Sequence, residues 1–199
     1  MEPAPEIRVA ADPNALAEAA AREVVAVARA AVAARGRFTA ALLSHVPIPS
    51  DQIFPIQGDA PDTDAVAAEY ARTLGEVFRV RRGEVPRLDL ILLGLGIDGH
   101  TASLFPGSPV LKETFRIVTA VHAAAASIPE RITLTYPIFN AAACVIYLVS
   151  GAEKAKVVRA ALGDRGGAVP AAMVRPTDGR LLWILDRAAA ALLPAGRTS

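Results

Sequence analysis

Cysteine occurs once in the 199 residues, which excludes a disulfide framework and a cysteine-built zinc site and predicts a reducing compartment. Lysine is almost as scarce, with three residues, so nearly all positive charge is carried by 18 arginines. Neither sign of charge dominates: 21 basic against 20 acidic side chains leave a formal charge of +1. That balance removes any electrostatic case for binding nucleic acid or an anionic membrane. The densest basic run, Arg79-Val80-Arg81-Arg82, is too short to change it. Aromatic residues make up only 5%, and alanine, with 42 residues, supplies much of the 53% hydrophobic fraction. The core therefore holds fewer large side chains than that percentage implies. An acidic, proline-bearing start, Met1-Glu2-Pro3-Ala4-Pro5-Glu6, is the opposite of a secretory leader, and with the cysteine count it predicts a cytoplasmic protein.

One long uncharged run is present, the 21 residues from Ile132 to Ala152. A spanning helix needs about 20 apolar residues. Thr133, Thr135, Pro137, Asn140 and Ser150 interrupt this one, and its apolar centre reaches only from Ala141 to Val149. It reads as buried structure rather than a membrane span. No internal repeat and no Gly/Ser-rich linker divides the chain, so residues 1–199 are expected to form one domain.

Asp12 and Pro13 open a first helix whose apolar face carries Leu16, Ala20, Val24, Val27 and Ala31, ending at Gly36. Phe38 to Leu43 reads as a short strand, and Pro47-Ile48-Pro49 as an extended loop. A second helix is predicted from Asp64 to Phe78, followed by a strand in Leu88-Asp89-Leu90-Ile91-Leu92-Leu93-Gly94 buried on both faces. Further strands are predicted at Ile117 to Val121, Cys144 to Val149 and Leu181 to Leu185. Ser150-Gly151-Ala152-Glu153 matches a capping box for a helix reaching Leu162, Pro176 to Gly179 reads as a turn, and an alanine-rich helix closes the chain. Strands alternating with amphipathic helices predict an α/β fold, a doubly wound, mostly parallel sheet with helices on both faces. Ligands in such folds bind beyond the C-terminal ends of the strands.

The segment at such an end is Gly94-Leu95-Gly96-Ile97-Asp98-Gly99-His100-Thr101-Ala102-Ser103-Leu104-Phe105-Pro106-Gly107. Its glycines let the backbone turn sharply and approach a ligand closely. Asp98 stands two residues from His100, and a carboxylate beside an imidazole fixes its tautomer and raises its basicity. Gly96, Gly99 and Thr101 complete the candidate site, with Asp98 and His100 as its chemical centre. On the residues alone, a turn carrying a solvated histidine remains an equal alternative. The Gly94-x-Gly96-x-x-Gly99 spacing matches a dinucleotide fingerprint, but Asp98-Gly99-His100 stands where a phosphate-binding helix would have to open.

Residues Leu93 to Gly107 resemble the signature of the 6-phosphogluconolactonases, members of the wider glucosamine-6-phosphate deaminase-like superfamily. Arg131-Ile132-Thr133-Leu134-Thr135-Tyr136-Pro137 and the residues to Ala142 are similar to a second block of that family, Val145 to Lys156 to a third, and Pro170 to Asp186 to its C-terminal block. The resemblance implies hydrolysis of 6-phospho-D-glucono-1,5-lactone to 6-phosphogluconate, within the oxidative pentose phosphate pathway, without metal or organic cofactor. It makes His100 the general base that activates water, Asp98 the acid that orients it, and Arg131 a candidate phosphate contact. For Arg131 a solvated surface position carries equal weight. The implied partner is a small sugar-phosphate lactone, with no nucleic acid and no membrane, in a monomer or weak homo-oligomer.

Against the family pattern the chain is short. Several dozen residues have no counterpart between Ser44 and His45, including a Ser-Gly-Gly-Ser-Thr-Pro loop that holds the substrate phosphate and an Asp-Glu-Arg element. Ala41-Leu42-Leu43-Ser44 fits either flank of that junction, as a deletion between similar sequences would leave it. The family's lysine before Arg131 is replaced within Ala123 to Ser127. Losing such a loop costs several kcal/mol of phosphate binding, at about 1.5–3 kcal/mol per hydrogen bond to a charged group. The expectation is a retained architecture that lacks part of its usual N-terminal half, with a disturbed sheet and weakened catalysis. Three functions follow: an active lactonase; an inactive relative that binds a sugar phosphate or another protein; and a sugar-phosphate isomerase or deaminase. Against the last, Leu104 and Phe105 stand where a deaminase carries a further acid.

The remaining candidates have plainer readings. His122 is expected to be a satisfied structural histidine, His45 has no assigned role, and Cys144 belongs to the core. Asp59, Asp62 and Asp64 lack the loop of a calcium site and suit helix capping.

Overall fold

The computed structural model describes residues 4–35, 52–58, 60–81, 83–122, 129–163 and 169–194, with side chains to Val27 in the first of these segments. The predicted strand Phe38 to Leu43, the Pro47–Pro49 loop, the Ser44/His45 junction, Asp59, Arg82 and the run Ala123 to Ser127 lie outside the described residues.

Four strands form one parallel sheet in the order β1 (Glu6–Ala10), β6 (Arg180–Asp186), β5 (Cys144–Val149), β2 (Ile91–Leu93). Side chains alternate across it, as the period of two requires. Cys144, Ile146, Leu182 and Ile184 face one way and meet Leu16 and Ala20 of α1 (Pro13–Arg35). Val145, Tyr147, Val149, Trp183 and Leu185 face the other way, toward α2 (Thr63–Phe78) and α4 (Ala155–Leu162). Tyr147 and Trp183, register partners on β5 and β6, stack with ring centroids 4.0 Å apart at 13°. The expected α/β architecture with helices on both faces is the one observed. Cys144 sits in this core, and burial pushes its thiol up to about 11.

An antiparallel hairpin, β3 (Val118–His122) with β4 (Glu130–Leu134), stands apart from the sheet and carries α2 against it. His122 pairs across this hairpin with Glu130 at 2.7 Å, an ion pair at a surface position as the structural reading requires. Neither β1 nor β4 is evident in the sequence pattern, nor is the short α3 (Tyr136–Ala141). β1 carries Glu6 and Arg8 on a five-residue stretch that lacks an apolar run. These two pair with each other within the strand, and their further partners, Arg180 and Glu23, are supplied only by the folded chain.

Capping follows the sequence at two helices and departs from it at a third. The Asp12 carboxylate accepts the Ala15 amide at 2.9 Å, and that of Asp62 accepts the Ala65 amide at 2.9 Å. The capping box expected at Ser150 is not formed. The Ser150 hydroxyl donates instead to the Asp186 carboxylate at 2.6 Å, and the chain passes through a 3-10 turn, Ala152–Lys154, before α4 begins. The Asp186 carboxylate, buried at the end of the neighbouring strand, accepts both the Ser150 hydroxyl and the Gly151 amide, and this charge-assisted pairing holds the serine away from the helix. The closing helix, α5 (Arg187–Ala190), is also shorter than the alanine content suggests.

Candidate active site

β2 ends at Leu93, and the chain leaves the sheet through a loop that folds back on itself. The Gly96 amide donates to the His100 carbonyl at 2.8 Å, and the Gly99 amide to the Gly96 carbonyl at 3.0 Å. Thr101 is 1% exposed, and its hydroxyl donates to the Gly94 carbonyl at 3.0 Å, closing the loop from inside. From outside, the Ala171 amide donates to the Gly99 carbonyl at 3.0 Å, and the Ser103 amide to the Thr133 hydroxyl of β4 at 3.2 Å. The loop is thus closed on itself and tied to the hairpin and to the 3-10 turn Pro170–Met173.

Two glycines are required by this geometry. Gly99 has φ +86°, and a Cβ there would lie 2.5 Å from Cβ of Val169. A Cβ at Gly96 would lie 2.1 Å from Nδ1 of His100, so the imidazole rests directly on the Gly96 backbone. Ala102, with φ +49°, holds a left-handed conformation that an alanine pays for with about 1–2 kcal/mol.

The loop brings Asp98 and His100 together. Nδ1 of His100 lies 2.6 Å from Oδ1 of Asp98, which also accepts the His100 amide at 3.1 Å. Partial burial acts against the Asp98 charge, but the amide and the imidazole of His100 outweigh it and hold the carboxyl below its usual value. An ionised carboxylate accepts only, so Nδ1 carries the proton and Nε2 the lone pair. Both side chains remain partly open to solvent. An imidazole held in this tautomer can accept a proton from water at Nε2.

Arg131, on β4, comes to the same place by a route the sequence does not reveal. Its Cζ lies 5.4 Å from the centroid of the Phe105 ring, and that ring lies 4.7 Å from the His100 ring at 46°. Phe105 is therefore a neighbour of both candidates. Sequence reasoning gave it no role beyond its lack of an acid, and a single aromatic residue after Leu104 carries no signal that could have found it. Of the six candidate residues, Asp98, His100 and Gly96 are in direct contact, and Gly99 and Thr101 shape the loop beneath them. Arg131 joins through Phe105.

Comparison with known proteins places the chain in a family. A model described as glucosamine-6-phosphate isomerases/6-phosphogluconolactonase matches residues 38–183. A 6-phosphogluconolactonase of Rattus norvegicus is 46% identical over 158 residues, which cover 79% of this chain and 60% of that protein. Among solved structures, the 6-phosphogluconolactonase from Trypanosoma cruzi superposes with a TM-score of 0.83 at 24% identity, covering 98% of this chain and 99% of that one. The one from Trypanosoma brucei superposes with a TM-score of 0.76 at 27% identity, covering 96% and 99%. The chain spans about 60% of the length of the first curated relatives it matches.

Proposed function

The chain belongs to the glucosamine-6-phosphate isomerase/6-phosphogluconolactonase family, and from that premise we propose that it hydrolyses 6-phospho-D-glucono-1,5-lactone. The observation that carries this reading is the His100–Asp98 pair, 2.6 Å apart at the end of a parallel strand. Nε2 of His100 takes a proton from water as the water oxygen bonds to the lactone carbonyl carbon. The ring C–O bond then breaks, and the proton passes to the departing ring oxygen, giving the open hydroxy acid. Asp98 keeps the imidazole in the productive tautomer and stabilises its cationic form during the transfer.

Gly96 and Gly99 allow the substrate close to the loop backbone, and Thr101 keeps that backbone in shape. Arg131 supplies a cation for the 6-phosphate. Leu104 and Phe105 offer no second carboxylate, which favours ester hydrolysis over the isomerase or deaminase chemistry of the same family. The reading treats residues 1–199 as one catalytic domain, cytoplasmic, acting without a bound cofactor on a small sugar phosphate, as a monomer or weak homo-oligomer. The absence of family residues between Ser44 and His45 supports a second reading, an inactive relative that has lost its main phosphate-binding loop.

A single assay separates the two: lactone hydrolysis with the spontaneous rate subtracted, for this chain and for His100→Ala. The lactonase reading requires a rate that His100→Ala loses. Equal rates in two folded proteins would establish the inactive relative.

A further inference from the structure

We propose that Phe105 is a positioning residue whose ring fixes the imidazole of His100 and the guanidinium of Arg131 relative to one another. This deepens the lactonase reading above and rests on it for its kinetic part. The hydrogen bond to Asp98 constrains one edge of the His100 ring, but by itself it leaves the plane of the imidazole free to tilt about the Nδ1–Oδ1 axis. Two surfaces limit that tilt. One is the Gly96 backbone, on which Nδ1 rests so closely that no Cβ fits. The other is the Phe105 ring, 4.7 Å away between centroids and inclined at 46°, within the range of favourable aromatic pairs.

The same ring holds Arg131. Its guanidinium carbon lies 5.4 Å from the ring centroid, inside the distance over which a cation is attracted to an aromatic face. Arg131 is on β4 and His100 on the loop after β2, elements that belong to different sheets. Phe105 links them through side-chain contact. Its own position is secured on both sides: Leu104 before it is fully buried, and its carbonyl accepts the Ser108 amide at 3.1 Å in a turn around Pro106 and Gly107. A phosphate held by Arg131 and a lactone carbonyl placed before His100 would therefore be set apart by a distance that this ring controls.

The test uses Phe105→Leu and Phe105→Tyr beside the unaltered protein. NMR of histidine-labelled protein follows the His100 ring protons, which a stacked aromatic ring shifts. In Phe105→Leu those resonances move toward free-histidine positions; in Phe105→Tyr they stay. In the lactonase assay, Phe105→Leu lowers kcat and raises KM together, with kcat/KM down about tenfold to a hundredfold, the cost of a small misplacement. Phe105→Tyr restores both. Unmoved His100 resonances in Phe105→Leu would overturn the proposal, and so would an equal kinetic loss in folded Phe105→Tyr. Phe105→Met, which also lacks a ring, repeats the measurement if the leucine variant unfolds. Should unaltered protein and His100→Ala hydrolyse the lactone equally, the lactonase reading falls, while the resonances still decide the role of the ring.

Discussion

One carboxylate oxygen, Oδ1 of Asp98, accepts two hydrogen bonds from His100: the backbone amide at 3.1 Å and Nδ1 of the ring at 2.6 Å. The residue that orients the imidazole is thereby itself oriented by the histidine it serves. Asp98→Asn keeps the size of the side chain and removes its charge. The imidazolium that forms during proton transfer then loses its counter-ion, and an amide nitrogen can turn toward Nδ1 and select the other tautomer. Activity is expected to fall by about 10²-fold or more, within the range attributed to general base catalysis. Full activity in a folded Asp98→Asn protein would remove Asp98 from the mechanism.

Gly96→Ala probes the other contact of the imidazole. The new Cβ would lie 2.1 Å from Nδ1 of His100 and 2.7 Å from Oδ1 of Asp98, so both side chains must leave their places. Both are partly exposed and can swing outward, so the fold is expected to tolerate the change. The measured outcome is a large loss of lactone hydrolysis with a thermal midpoint within a few degrees of the parent. A variant that keeps its rate would mean that the observed His100 position is not the working one.

The sequence pattern discloses this site more readily than the scaffold around it. Glycines, an acid and a histidine beyond an apolar strand are local signals, and their contacts prove local too: every bond between Asp98, Gly96 and His100 spans four residues or fewer. Contacts made across long separations have no such signature. Ser150 looks like a helix cap until Asp186, 36 residues away, takes its hydroxyl. Glu6 and Arg8 obscure a strand because their partners Arg180 and Glu23 are supplied by other elements. Phe105 carries no polar atom and so attracts no attention until His100 and Arg131 are found beside it.

Acid should draw down the stability that the turn leading into β3 contributes, although the Glu113 carboxyl itself is protonated later than an ordinary one. Glu113 accepts the Arg116 amide at 3.0 Å, the Phe115 amide at 2.8 Å and the Arg116 guanidinium at 2.6 Å. These bonds, the Arg116 amide first, lower its carboxyl from 4.5 to about 2 against a modest opposing effect of burial. A carboxyl with a depressed value in the folded chain stabilises it fully above the unfolded value. That contribution is lost as pH falls from about 4.5 toward 2. Glu113→Gln removes one source of this dependence, so its stability should fall less steeply over that interval than the parent's. Parallel curves from urea unfolding at stepped pH would show that the turn does not contribute.

Glu23 ties α1 to the sheet through two arginines. Its carboxylate, 8% exposed, receives Nη1 of Arg8 on β1 at 2.7 Å and Nη1 of Arg180 on β6. Both arginines also reach Glu6, so the four residues alternate in sign around β1, β6 and the helix. Removing one member of a buried pair costs about 3–5 kcal/mol when its partner is left uncompensated. Here Arg8 and Arg180 are 40% and 39% exposed and keep Glu6, so solvent and the second carboxylate offset part of that cost. Glu23→Ala is therefore expected to destabilise the protein by about 2 kcal/mol. Glu23→Gln should fall between it and the parent, since the amide oxygen still accepts one guanidinium. Urea midpoints at low and high salt check the assignment: the deficit of Glu23→Ala should shrink only slightly in salt, because the carboxylate it replaces is shielded from the ions. A deficit that vanishes in salt would place the interaction at the surface instead of beneath the helix.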